Sequence, residues 1–257
     1  MTTHVTATRQ QWLEARRDLL AAEKDLTRRS DEVARLRQRL PWVRVEKSYG
    51  FDTAAGRKTL KELFDGRGQL LVQHFMLVPG KEEGCKGCSY MADHTDGMIV
   101  HLAHRDVTFV AISRAPLAEI ERFRRRMGWQ FDWVSSYGTD FNYDFGVSFT
   151  PDDVAKGKID YNYGNWPLVG EDWPGVSAFA KNDAGDVFHT YSTYGRGVEV
   201  MMGTYRMLDL MSKGRGERDD VRHKMEWVRH HDRYEPVAKA APAEASCCKT
   251  QAQGGRS

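Results

Sequence analysis

Residues 69–78 read QLLVQHFMLV, and Gly84-Cys85-Lys86-Gly87-Cys88-Ser89 soon afterwards opens a stretch that can be helical as far as His104. A nearly unbroken apolar run of strand length, bounded by turn residues, is the pattern of a strand covered on both faces. A second such run, Val107 to Ser113 (VTFVAIS), comes next, and Pro116 to Met127 predicts a helix with proline in its first turn. Strand, helix, strand, helix implies parallel strands, a right-handed crossover and helices on both faces of a sheet.

Downstream, Val176 to Lys181 and Asp186 to Tyr191 flank Asn182-Asp183-Ala184-Gly185, a hairpin signal, and Val198 to Leu210 (VEVMMGTYRMLDL) predicts an amphipathic helix. A βαβ unit followed by a ββα unit is the layout of the thioredoxin fold, an α/β architecture with a central mixed sheet flanked by helices. Between the halves, Gly128 to Trp173 is rich in Tyr, Trp, Asn, Asp and Gly without a period, and is expected to be loop. Upstream, Val43 to Tyr49 alternates as a strand and Asp52 to Gly56 supplies turn residues. Thr8 to Leu40 predicts one long helix, opened by a capping box of Thr8 with Gln11 and stopped by Pro41. Trp12, Leu19, Leu26, Val33 and Leu40 recur every seven residues along it, with Ala15, Ala22 and Leu36 three further on. That narrow seam suits an arm laid along its own domain or a homodimer contact with a second copy, although Arg29 at an inner position weakens a coiled coil. The expected organisation is an N-terminal helical arm (1–40), a thioredoxin-like domain (41–211), a charged extension (212–235, in which Glu217 to Arg233 could be a helix) and a disordered tail (236–257).

At 257 residues and 40% apolar composition the chain can close a sizeable core, and 38 basic against 36 acidic residues leave a net charge of +2. With its charges interspersed, it presents no global field for nucleic acid or an anionic membrane. No window approaches 18 apolar residues and no leader pattern opens the sequence, so a cytoplasmic address is expected. Four cysteines in two close pairs, Cys85/Cys88 and Cys247/Cys248, are too few for a disulfide scaffold and point instead to thiol chemistry.

Helix N-termini carry partial positive charge and unpaired N–H groups, which favour a thiolate over a thiol. Cys85, where the buried strand gives way to the helix, is therefore the expected nucleophile, and Cys88, one turn on, the resolving thiol. Lys86 adds a nearby cation and, with Pro174 and His189, is a candidate substrate-binding residue. Trp173-Pro174-Gly175 stands just ahead of the hairpin, where thioredoxin-like sites carry a proline after a cis bond, although an ordinary turn explains it equally well. His189, in the last strand, could face the dithiol, while His74 inside the first strand reads as a neutral, hydrogen-bonded imidazole. The aromatic run Trp133 to Gly146 could wall a pocket or pack the core. The rival chemistry is soft-metal binding (copper or zinc) by Cys85, Cys88 and His94, with His101 and His104 on the same expected helix. No metal or other cofactor is required by the redox reading. Adjacent Cys247 and Cys248 could relay electrons or be an incidental exposed pair.

Trp12 to Arg16, Leu40 to Lys47, Gly84 to Ser89, Ala92-Asp93-His94, Trp133 to Gly146 and Phe188 to Tyr194 together resemble the bacterial family catalogued as domain of unknown function 899, over nearly the whole chain to about Tyr234. The resemblance implies a thioredoxin-like fold and no assigned reaction. Thioredoxins carry Trp before the first cysteine and Gly-Pro between the pair, whereas Gly84 and Lys86-Gly87 stand here. Peroxiredoxins place Thr or Ser three residues before the reactive cysteine and Pro four before that; Glu82 and Val78 occupy those positions, with Pro79 one place off, which argues against peroxidase activity. The expected function is thiol–disulfide oxidoreduction on a protein or low-molecular-weight thiol or disulfide. A non-enzymatic metallochaperone and a dimeric redox-sensing interaction protein are the alternatives.

Overall fold

The computed structural model describes residues 4–167, 170–218, 220 and 224–235. Its elements run α1 (Arg9–Gln38), β1 (Val43–Arg44), β2 (Gly50–Thr53), β3 (Gly56–Thr59), β4 (Gln69–His74), α2 (Lys86–Ala92), α3 (Ile99–His104), β5 (Val107–Ser113), α4 (Leu117–Met127), β6 (Asp132–Ser135), α5 (Phe141–Asp144), α6 (Pro151–Ala155), β7 (Lys158–Tyr161), β8 (Gly164–Pro167), β9 (Gly175–Lys181), β10 (Val187–Tyr194) and α7 (Gly203–Leu208). Short 3-10 turns lie at Glu62–Phe64, Asp96–Met98, Gly195–Met201 and His231–Arg233.

Eight strands form one sheet in the order β1-β10-β9-β4-β5-β6-β2-β3. β4 pairs in parallel with β5, which pairs in parallel with β6; β9 runs antiparallel to β4, and β10 antiparallel to β9. The βαβ unit thus meets the ββα hairpin along β4 and β9, which is the thioredoxin-like topology. Because β4, β5 and β6 step in one direction across the sheet, the helices that join them share a face, and α2, α3, α4 and α7 all pack there with Phe75, Phe109, Ala111, Trp133 and Val176. Side chains alternate along a strand. Leu70, Val72, Val110, Ile112, Val134 and Phe179 therefore meet the β2–β3 hairpin, the Glu62–Phe64 turn and α5 on the opposite face.

Four sequence expectations change. The helix expected over Cys85 to His104 is two helices and a 3-10 turn, because Asp93 and Asp96 turn away from helical continuation. Asp93 Oδ1 accepts from the Trp129 indole at 2.8 Å, and Asp96 carboxylate oxygens accept the backbone N–H groups of Gln130 and Phe131 at 3.0–3.1 Å. Gly128 to Trp173 is not loop but contains β6, α5, α6 and the β7–β8 hairpin, with the buried aromatics Tyr161 and Phe149 making a third cluster. The expected Val198 to Leu210 helix breaks between the Gly195–Met201 turn and α7, and among the described residues Glu217 to Arg233 is mostly turn.

The arm forms as expected: the Thr8 hydroxyl accepts from Gln11 N–H at 3.3 Å, and Thr8 N–H donates to the Gln11 side chain at 2.9 Å. α1 has no buried residue, and Leu26 in its seam is 71% exposed, so the arm is not laid down on its own domain. The extension does pack: Val228 is fully buried and His230 nearly so, both against α4 and the start of α2. The expected tail, with Cys247 and Cys248, lies outside the described residues. Among those residues, no helix is long and apolar enough to cross a membrane.

Candidate active site

After His74 the chain continues extended through Phe75 and Met76, and the Cys85 turn docks against it. Cys85 N–H donates to Met76 O at 2.9 Å, and Met76 N–H donates to Cys88 Sγ at 3.5 Å. Gln73 Nε2 donates to Cys88 O at 3.0 Å, tying the strand to the first turn of α2. Gly84 is needed for this approach, since a Cβ there would stand 2.5 Å from Phe75 Cε1 and 3.0 Å from Phe123 Cε1. Its carbonyl accepts from the His230 imidazole at 2.9 Å, so the extension clamps the residue before the first sulfur.

Cys85 is the N-cap of α2 and half-buried, while Cys88 is 1% exposed; both are free thiols. Hydrogen bonding from the Cys88 thiol, helped by the backbone N–H groups of Cys88 and Gly87 and by the Lys86 charge, outweighs burial and brings the Cys85 pKa down to about 6. Donation to Cys85 and burial push the Cys88 thiol up, and the Asp172 charge adds to this. The two sulfurs titrate as a pair, one held as thiolate and the other as thiol near neutrality.

Both sit in the lining of a cavity of about 590 Å3, Cys85 the exposed one of the two. Met76, Met91, Met202 and Met225 supply much of its wall, and Tyr161, Trp166, Trp173 and Tyr205 most of the rest. The β7–β8 hairpin is anchored there by Tyr161, whose hydroxyl donates to Pro174 O at 2.6 Å and accepts from Gly195 N–H at 2.9 Å. Asp172, also in the lining, is buried and held by Arg114 Nη2 at 2.8 Å and the Ser148 hydroxyl at 2.7 Å. Burial raises its pKa despite that pairing.

Of the residues singled out in the sequence, Cys85, Cys88 and Pro174 come together at this cavity, and Lys86 is an exposed neighbour on α2. Pro174 follows a trans bond: among the described residues no peptide is cis, and the turn into β9 is made without one. His189 does not face the dithiol. It stands opposite Phe179 in the β9–β10 register and packs on Phe145 and Phe179, across the sheet from the sulfurs. The aromatic run Trp133 to Gly146 supplies core, and none of its residues lines this cavity.

The soft-metal set is not assembled either. His94 Nδ1 donates to Tyr90 O in α2 at 2.7 Å, and Nε2 accepts from Thr204 N–H at the start of α7 at 3.0 Å, so both ring nitrogens are engaged. His101 and His104 sit on the separate α3, and the described residues contain no group of three His, Cys, Asp or Glu able to hold a metal ion. Sequence reasoning missed Asp172 with Arg114, the Trp166 wall and the Met225–His230 segment. Arg114 directly after β5, and Asp172 directly before the Trp173-Pro174-Gly175 turn, were the available hints for the ion pair; the extension carried none.

Residues 1–234 match the model of a family described as bacterial protein of unknown function (DUF899). No curated protein matches. Solved structures that align with the chain include a peroxiredoxin Q of Xanthomonas campestris, at 10% identity and TM-score 0.39, with 62% of this chain and 90% of that chain covered. A peroxidoxin BcpB of Mycobacterium tuberculosis aligns at 14% identity and TM-score 0.39, covering 66% and 96%. A hypothetical protein of Sinorhizobium meliloti aligns at 14% identity and TM-score 0.35, covering 57% and 67%.

Proposed function

The chain belongs to the DUF899 family of bacterial proteins of unknown function, and from that premise we propose that it is a thiol–disulfide oxidoreductase with Cys85 as nucleophile and Cys88 as resolving thiol. The observation that carries this reading is the inequality of two sulfurs one helical turn apart: Cys85 is partly exposed and acidified, Cys88 sealed and kept protonated. The Cys85 thiolate attacks one sulfur of a substrate disulfide, the S–S bond breaks, and the departing thiolate takes a proton from solvent. Cys88 then loses its proton and attacks Cys85 Sγ of the mixed disulfide, releasing the second thiol. Two electrons have passed from the protein dithiol to the substrate, and a second thiol compound, small or protein-borne, returns them.

The test is trapping. A Cys88→Ser variant incubated with disulfides is expected to accumulate mixed disulfides on Cys85, read by mass spectrometry; a variant that stays unmodified sinks the proposal. The cytoplasm, where thiols are kept reduced, is the proposed setting. The exposed α1 seam favours a second copy of the chain as a further partner. Leu19→Glu with Leu26→Glu would then convert a dimer to a monomer in sedimentation, and a monomeric wild type would discard that contact.

A further inference from the structure

We propose that the cavity beside Cys85 selects low-molecular-weight dithiols and disulfides whose arms are apolar and uncharged; this rests on the oxidoreductase reading above and adds its substrate class. A volume of about 590 Å3 admits a small molecule or a single extended arm. Every charged side chain of the lining is already engaged by the protein. Asp172 is held by Arg114 and Ser148, Glu199 by Arg196 and Arg215, and Glu217 by the Tyr205 hydroxyl at 2.5 Å; Lys224 donates to Arg218 O at 2.9 Å. A charged arm would give up its water against methionine and indole, and a carboxylate would in addition meet Asp172.

In the reducing direction one substrate thiolate attacks Cys85 Sγ of the Cys85–Cys88 disulfide and Cys88 leaves as a thiol. The second substrate sulfur then displaces Cys85, so that the substrate closes to a cyclic disulfide and two electrons and two protons reside on the protein dithiol.

Oxidised full-length protein mixed with dihydrolipoamide, dihydrolipoate or reduced glutathione, followed by tryptophan fluorescence in stopped flow, tests this. Each rate is divided by that thiol's rate on 2-hydroxyethyl disulfide. The first two probes differ only in an amide for a carboxylate, and the amide is expected to react at least about tenfold faster, with glutathione slower still. Trp166→Ala, at a residue 38% exposed, and Met225→Lys, which supplies a cation for the carboxylate, should each shrink that preference. A smaller preference in the wild type, or one unchanged in both variants, overturns the inference while leaving the oxidoreductase reading in place. Protein that no thiol reduces, dithiothreitol included, overturns both.

Discussion

On one side of β4, Gln73 donates its amide N–H to the carbonyl of Cys88; on the other, the next residue, His74, shares a hydrogen bond of 2.8 Å with the Ser177 hydroxyl. Ser177 continues to Ser192 at 2.7 Å and Ser192 to His189 at 2.7 Å, a four-residue chain beneath Phe141, Phe145 and Phe179. Both faces thus place groups that could react inside an apolar layer. They differ in access and in symmetry. The sulfurs have unequal surroundings and a cavity in front of them, so one is charged and reachable. The imidazoles are joined through hydroxyls in a closed layer, and both lose basicity, His74 to a pKa of about 3 through burial and the neighbouring His189. A polar group in a core becomes a chemical tool when its environment opens to solvent on one side, and otherwise serves packing and register.

The sharpest way to break the contrast is Cys85→Ser, which should lower disulfide exchange about 10^3-fold or more, to the uncatalysed level, without moving the urea midpoint greatly. Next comes Arg114→Leu. It leaves the buried Asp172 carboxylate without its cation and should cost about 3–5 kcal/mol in urea unfolding. The pH dependence separates the faces more finely. Alkylation of Cys85 by iodoacetamide should rise with a midpoint near pH 6, where an ordinary thiol would titrate near pH 8.5. Because His74 binds its proton less readily folded than unfolded, stability is complete above the usual histidine range and is lost as pH falls from about 6.5 towards 3. His74→Gln should flatten that acid limb without moving the alkylation midpoint. The smallest effect is expected from Ser192→Ala, about 1–2 kcal/mol of stability from the interrupted hydroxyl chain, with exchange rates unchanged.

What could be read from the residues alone follows the same line. β4, β5 and the β9–β10 hairpin announce themselves because apolar runs and turn residues are local signals, and the junction holding Cys85 and Cys88 comes with them. The side of the sheet on which His189 falls depends on register, and β10 shifts register between His189 and Tyr191, which no alternation pattern marks. The two broken helices are tertiary effects: Asp93 and Asp96 are drawn off to the segment Trp129 to Phe131, and His94 caps α7 from more than a hundred residues upstream. The β7–β8 hairpin hides in a stretch where Trp, Tyr and Asn mask any period, yet it supplies Trp166 and Tyr161 to the cavity.

The clamp of His230 on Gly84 and the seat of Met225 beside Gly87 carry a practical lesson about where the gene can be shortened. A polypeptide stopped at Met211, after α7, would keep the eight-stranded sheet and lose the roof over Cys85. Such a fragment would be expected to fold, to oxidise in air, and to react indiscriminately with whatever thiol reagent it met.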